Sequence, residues 1–271
     1  MEKKMIVTLV VAVIAIAAIG GVVYAIMNQS SPKTINSLDD LEGSVIAVQN
    51  GTTGDKFAKK TYEDTHKADV KRYNTYPDAI LDLKNGKVDA IIMDKAPAQA
   101  YVANYSGIKI LDAKLDTETE SYCFIFNLSN TALKDEFNTA LATLKDNGKL
   151  AEIEAYWAEH LDGQADPYIP TVGTGTTLTV ATSPDFPPYD SMYGTKFTGI
   201  DMDIIRAIST CGALNYNISF VNSEFDGVLT GVSTGTYDVG ASGISYDSER
   251  AAEMLFSDEY TTTEQVVVVR A

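Results

Sequence analysis

Apolar residues along the chain fall into runs of different character. Met5 to Met27 is a nearly uncharged apolar stretch, and about 20 such residues suffice to cross a bilayer core as a helix. Beyond it, short continuous runs that read as buried strands alternate with runs in which apolar residues recur at helical spacing. SVIAV, from Ser44 to Val48, predicts a strand, and NGTTGDKFAKK then opens a helix with Thr52, Thr53 and Asp55 as capping candidates. VKRYN is a second strand. TYPDAILDLKNG places Pro77 in a helix first turn, with Ala79, Ile80 and Leu83 on one face and Gly86 as the stop, and VDAIIMD follows as a strand. SYCFIFNL is another strand, and TALKDEFNTALATLKDNGKLAEIEAYW gives two helices divided at Gly148, with Trp157 as a core residue.

Residues 161–177 are rich in Gly, Pro and Thr and have no apolar period, which marks a linker. A second series follows: LTVATS, YNISFV and YDVGAS as strands, GIDMDIIRAIST and FDGVLTGVSTG as helices. The alternation predicts an α/β fold. GKVDAIIMD and GTYDVGASG place Gly and Asp before a strand in the two series, a weak sign of two similar lobes.

Charge and cysteine content narrow the setting. A net charge of −16 excludes the basic surface that nucleic acids or anionic membranes require. Lys3 and Lys4 precede the apolar stretch, so the positive-inside rule predicts a cytoplasmic N-terminus with everything after Asn28 outside. The stretch is longer than the apolar region of a cleaved signal and runs on into VVYAIMNQSS, which favours an uncleaved signal anchor over residues 1–28. Residues 29–36 then form a polar tether. Cys123 and Cys211 suit no zinc site, and the sequence leaves open whether they are bridged or free.

TLTVATSPDFPPYD, FTGIDMDIIRAI, GTYDVGASGISYDSERAAEMLFSDEY and EQVVVV resemble the first lobe of a type II periplasmic solute-binding protein of the amino-acid class, the family 3 extracellular solute-binding proteins. INSLDDLEGSVIAVQNGTTGD, KVDAIIMD and NTALKDEFNTALATLKDNGKLAEIEAYW resemble that family's second lobe and its return to the first. The resemblance implies a two-lobed periplasmic-binding-protein-like II fold, circularly permuted: second lobe at 37–117, return segment of the first lobe at 118–160, linker at 161–177, first lobe at 178–271. A truncated tandem receptor and a swapped dimer are the competing arrangements. Permutation further implies a hinge reduced to one crossover near residues 112–121, with both new chain ends beside it.

The resemblance also implies a site for an amino acid, whose carboxylate and ammonium need paired charges in a closed cleft. Arg250 is similar to the family arginine that grips the ligand carboxylate, and its planar fork suits two parallel hydrogen bonds. Ser242, Gly243 and Ser245 match the backbone and hydroxyl contacts beside it. Thr52 and Thr53, at a predicted helix start, match the carboxylate contact from the opposite lobe. Asp94 matches the acid that accepts the ammonium, whereas Asp89, Asp201 and Asp203 are read as structural. Phe186, Tyr189 and Phe225 match positions flanking the ligand side chain. Ser183 falls where relatives with cationic ligands carry an acid, which speaks against Lys, Arg or His as solute.

The implied function is capture of an amino acid outside the cell membrane for an ABC-type importer permease, with no cofactor and no catalysis. A sensory ligand-binding domain and a dehydratase-like enzyme are the alternatives. His66 and His160 lie outside every predicted cleft segment, which disfavours histidine-based acid–base chemistry.

Overall fold

The computed structural model describes residues 32–271, and the predicted anchor of residues 1–28 lies outside them. Among the described residues, no helix is long and apolar enough to cross a membrane.

Two sheets organise Thr34–Ala271. The first three strands, β1 (Val45–Gln49), β2 (Asp69–Tyr73) and β3 (Ala90–Asp94), are linked by helices α1 (Thr53–Ala58) and α2 (Tyr76–Lys84). Helix α3 (Lys95–Asn104) leads to β4 (Ile108–Ile110). The chain then crosses to β5 (Glu120–Asn127), helices α4 (Thr131–Asp146) and α5 (Lys149–Ala158), and strand β6 (Thr177–Thr182). After the hairpin of β7 (Ser191–Tyr193) and β8 (Lys196–Thr198) come α6 (Ile200–Ser209), β9 (Asn217–Asn222), α7 (Phe225–Ser233) and β10 (Val239–Ser245). Short strands β11 (Met254–Phe256) and β12 (Thr261–Thr263) precede β13 (Gln265–Arg270).

The second-lobe sheet has the order β2-β1-β3-β13-β4 and the first-lobe sheet the order β9-β6-β10-β5-β11, with β12 also on β5. Three parallel strands in each are followed by one antiparallel strand, β13 or β5. Each lobe therefore receives its antiparallel strand from the chain segment that built the other.

This exchange corrects three expectations. Gln265–Arg270, assigned with the first lobe, is a central strand of the second-lobe sheet. The chain crosses between lobes twice, between β4 and β5 and again at Glu264 between β12 and β13, so the hinge keeps two connections. Ala271 is not at the hinge: its N–H donates to the Gly107 carbonyl, and Arg270 pairs with Asp89, at the end of β3 away from Asp94.

The continuous apolar runs are explained by burial on both sheet faces. In the second lobe Ile46, Val48, Ile92, Val267 and Val269 pack on one face with Ile35, Leu41 and Leu115. Ala47, Ile91, Met93 and Val268 face the central core, which they share with Tyr122, Phe124, Phe126, Val180 and Val239 of the first lobe.

Several local signals act as the sequence predicts. The Thr52 hydroxyl caps α1 through the Asp55 N–H, Thr75 caps α2, and Pro77 lies in the α2 first turn. Gly148, at φ +79°, makes the break between α4 and α5. Asp203 ties the linker down: it accepts Trp157 Nε1 at 2.8 Å, the Tyr168 and Ile169 N–H groups, and Arg206. Cys123 and Cys211 are free thiols.

Candidate functional site

The C-terminal ends of the parallel strands from both sheets point at one another. In each sheet the strand order reverses beside the first strand, and such switch points leave a crevice at the strand ends. β1 ends there at Gln49, β3 at Asp94 and β10 at Ser245. The enclosed cavity between them has a free volume of about 10 Å³, room for about one water, so the lobes are closed on each other.

From the first lobe, Arg250 is 6% exposed and enters from a short helical turn after β10. It donates to the Ser245 carbonyl at 2.9 Å and, across the cleft, to the Gly51 carbonyl at 2.7 Å. Phe225 lies under the guanidinium, 5.6 Å from carbon to ring centroid. Burial pulls the Arg250 pKa down, opposed by the charges of Asp247, Glu120 and Asp94.

Gly243 sits at φ +51°, and a Cβ there would lie 2.4 Å from Phe186 Cε1. Only glycine satisfies both the backbone and the close approach. Its N–H donates to Asp201 at 2.8 Å, and Tyr260 donates to the same carboxylate at 2.7 Å. Asp201 therefore supports the site from behind. Burial pushes its pKa up to about 7.

From the second lobe, Thr52 and Thr53 stand at the α1 start, where free N–H groups favour an anion. Asp94 is 4% exposed and accepts the Tyr122 hydroxyl and, at 2.6 Å, Gln265 Nε2. Burial first, then the charge of Glu120, pushes its pKa up to about 7.

The cavity thus gathers Thr52, Thr53 and Asp94 from one lobe with Phe186, Phe225, Ser242, Gly243, Ser245 and Arg250 from the other. Two predicted residues are not in its lining. Ser183 stands one layer back, donating its N–H to Ser242 Oγ and its hydroxyl to Asp185. Tyr189 packs edge-on against Tyr122 at 4.9 Å and lines a separate cavity near Glu264.

Gln49 and Tyr76 also line the cavity, and sequence reasoning missed them. A polar residue ending the buried run SVIAV was the available signal for Gln49. Tyr76 is fully buried, stacks on Phe186 at 5.8 Å, and its hydroxyl has no hydrogen-bond partner among the described residues. Asp185 lies behind both, accepting Gln49 Nε2 at 3.1 Å and the Tyr76 N–H at 2.8 Å. Burial raises its pKa against these bonds. Among the described residues there is no group of His, Cys, Asp and Glu able to hold a metal ion.

A cleft between two α/β lobes thus sets a guanidinium and hydroxyls beside a buried acid, the complementary groups that a small zwitterionic or charged solute would need. Residues 178–271 match the model of the bacterial extracellular solute-binding proteins, family 3. It is similar to an arginine-binding periplasmic protein of Mannheimia haemolytica, 33% identical over 115 residues, which cover 41% of this chain and 47% of that protein. It is also similar to ABC transporter arginine-binding protein 1 of Escherichia coli, at 27% identity over 46% of this chain and 51% of the relative. The chain spans about half the length of the curated relatives it matches. Among solved structures, arginine-bound truncated ArgBP from T. maritima aligns with a TM-score of 0.41 and 12% identity, covering 87% of this chain and 92% of that one.

Proposed function

We propose that this chain captures an amino acid between its two lobes outside the cell membrane and delivers it to an ABC-type importer, without chemical turnover. One observation carries the proposal. Arg250 and Ser245 from one lobe meet Thr53 and Asp94 from the other around a single enclosed cavity, which sets donors for a carboxylate beside an acid for an ammonium.

The charge balance favours a cationic side chain on the ligand. Once Arg250 has taken a carboxylate and Asp94 an ammonium, Asp185 remains as a half-buried acid behind Gln49 and Tyr76. This reverses the inference from Ser183, because the missing acid stands two residues further on and receives the Ser183 hydroxyl. The arginine-binding relatives support the same reading.

Melting of the protein with each amino acid is the test. At 100 times the dissociation constant, arginine should raise Tm by roughly 5–10 °C, whereas glutamate and leucine should leave it unchanged. No rise with any amino acid sinks the proposal.

We further read residues 1–28 as an uncleaved anchor and the segment order as a circular permutation. Lys3 and Lys4 before the apolar run support the first, and release of the full chain from membranes by alkaline carbonate would overturn it. One chain completing both sheets supports the second. A chain rewired to run 178–271 and then 34–160 should bind the same solute, and failure of that folded chain to bind would count against permutation.

A further inference from the structure

The cradle for a ligand carboxylate already contains one. Glu120, the first residue of β5, stands directly after the first crossover between lobes. Its Oε2 accepts the Thr53 hydroxyl at 2.7 Å and also the Ser245 hydroxyl. Its Oε1 accepts Gln265 Nε2 at 3.0 Å. Thr53 and Gln265 belong to the second-lobe side and Ser245 to the first, so one carboxylate joins both walls of the cleft.

We propose that Glu120 is a tethered stand-in for the ligand carboxylate, which latches the lobes together without solute and must be displaced for solute to bind. The inference rests on the reading of Thr53, Ser245 and Arg250 as the carboxylate grip. A hydroxyl has a single proton to donate, so Thr53 and Ser245 cannot serve Glu120 and a ligand carboxylate together. A free volume of about 10 Å³ leaves no room for both groups, and two carboxylates at one set of donors repel.

Arg250 makes the exchange feasible. Its bonds go to the main-chain carbonyls of Ser245 and Gly51 rather than to Glu120, and a guanidinium has five N–H donors. Unused donors remain to recruit an incoming carboxylate while Glu120 still holds the hydroxyls. Glu120 then leaves on a segment that belongs to the hinge, so displacement and lobe opening are one movement.

The test uses the full-length chain with Cys123→Ala and Cys211→Ala, spin-labelled at Leu81→Cys and Leu128→Cys, two exposed positions on opposite lobes. Pulsed dipolar spectroscopy without solute should give one short interlobe distance, and Glu120→Ala should add a longer-distance population. Thr53→Val removes a donor from the opposite wall and should do the same, which covers the case of a Glu120→Ala chain that does not fold. Calorimetry with L-arginine should show Glu120→Ala binding about tenfold tighter, as when the latched form outnumbers the free form by about ten to one. Unchanged distances in both variants, or weaker arginine binding by Glu120→Ala, overturn the latch. Opening by Glu120→Ala with no arginine binding to either chain supports the latch and overturns the choice of arginine as solute instead.

Discussion

The two lobes share a strand order but not a manner of support. In the second lobe the site residues rest on an aliphatic layer: Ile46, Val48, Ile92 and Val267 fill the outer face under the strands that carry Gln49 and Asp94. In the first lobe they rest on buried polar groups. Asp201 holds the Gly243 turn, Asp190 accepts the Thr182 hydroxyl, and Asp203 joins Trp157, Arg206 and the linker. Apolar packing positions a strand end through many weak contacts, whereas buried hydrogen bonds fix one geometry and cost heavily when broken. The proposed carboxylate grip of Arg250 and Ser245 is built on the second kind of support, as orientation matters most where a planar fork must meet a planar anion.

The contrast is open to attack in order of effect. Arg250→Ala should weaken amino-acid binding by about 100-fold or more, since truncating one partner of a buried charge pair costs about 2–5 kcal/mol. Titration calorimetry reads this, and an unchanged affinity would remove Arg250 from the site. Next comes Asp203→Ala, which leaves Trp157 Nε1, two N–H groups and Arg206 without their shared acceptor. It should destabilise the fold by about 3–5 kcal/mol in urea melts, the range for breaking a buried ion pair. A loss below about 1 kcal/mol, the scale of an exposed pair, would show that the first lobe does not depend on its polar layer.

The smallest effect concerns Asp94. Its pKa stands at about 7 in the folded protein, above the ordinary carboxylate value that the unfolded chain shows. Folded chains therefore bind more protons between those values, and this residue's contribution to stability falls as pH rises through that window. Asp94→Asn should flatten the decline between pH 4.5 and 6.5 by on the order of 1 kcal/mol per pH unit. Equal slopes in the two proteins would contradict the raised value.

Much of this arrangement was legible in the sequence, for particular reasons. The run SGISYDSER carried Ser242, Gly243, Ser245 and Arg250 within one continuous segment, and NGTTGD carried the helix start with Thr52 and Thr53. Such local clusters survive without knowledge of the tertiary fold. Glu120 did not, because it sits in the polar stretch TETES and its partners are 67, 125 and 145 positions away. The home of QVVVV was illegible for another reason. A strand buried on both faces has no alternation to reveal which sheet receives it. Ser183 proved to stand one layer behind the cavity, where its hydroxyl donates to Asp185 two residues along the chain, an arrangement that depends on the turn between them and not on the sequence position alone.

The exchanged strands set a timetable for synthesis. Among the described residues β4 pairs with β13 and with no other strand, so the lobe made first on the ribosome keeps an open flank on β3 until Gln265–Arg270 has been translated. The lobe made last donates the piece that seals the earlier one. The cleft between the lobes therefore cannot be completed before β13 is made, and a ribosome stalled ahead of Gln265 leaves an unsealed sheet edge for chaperones to shield.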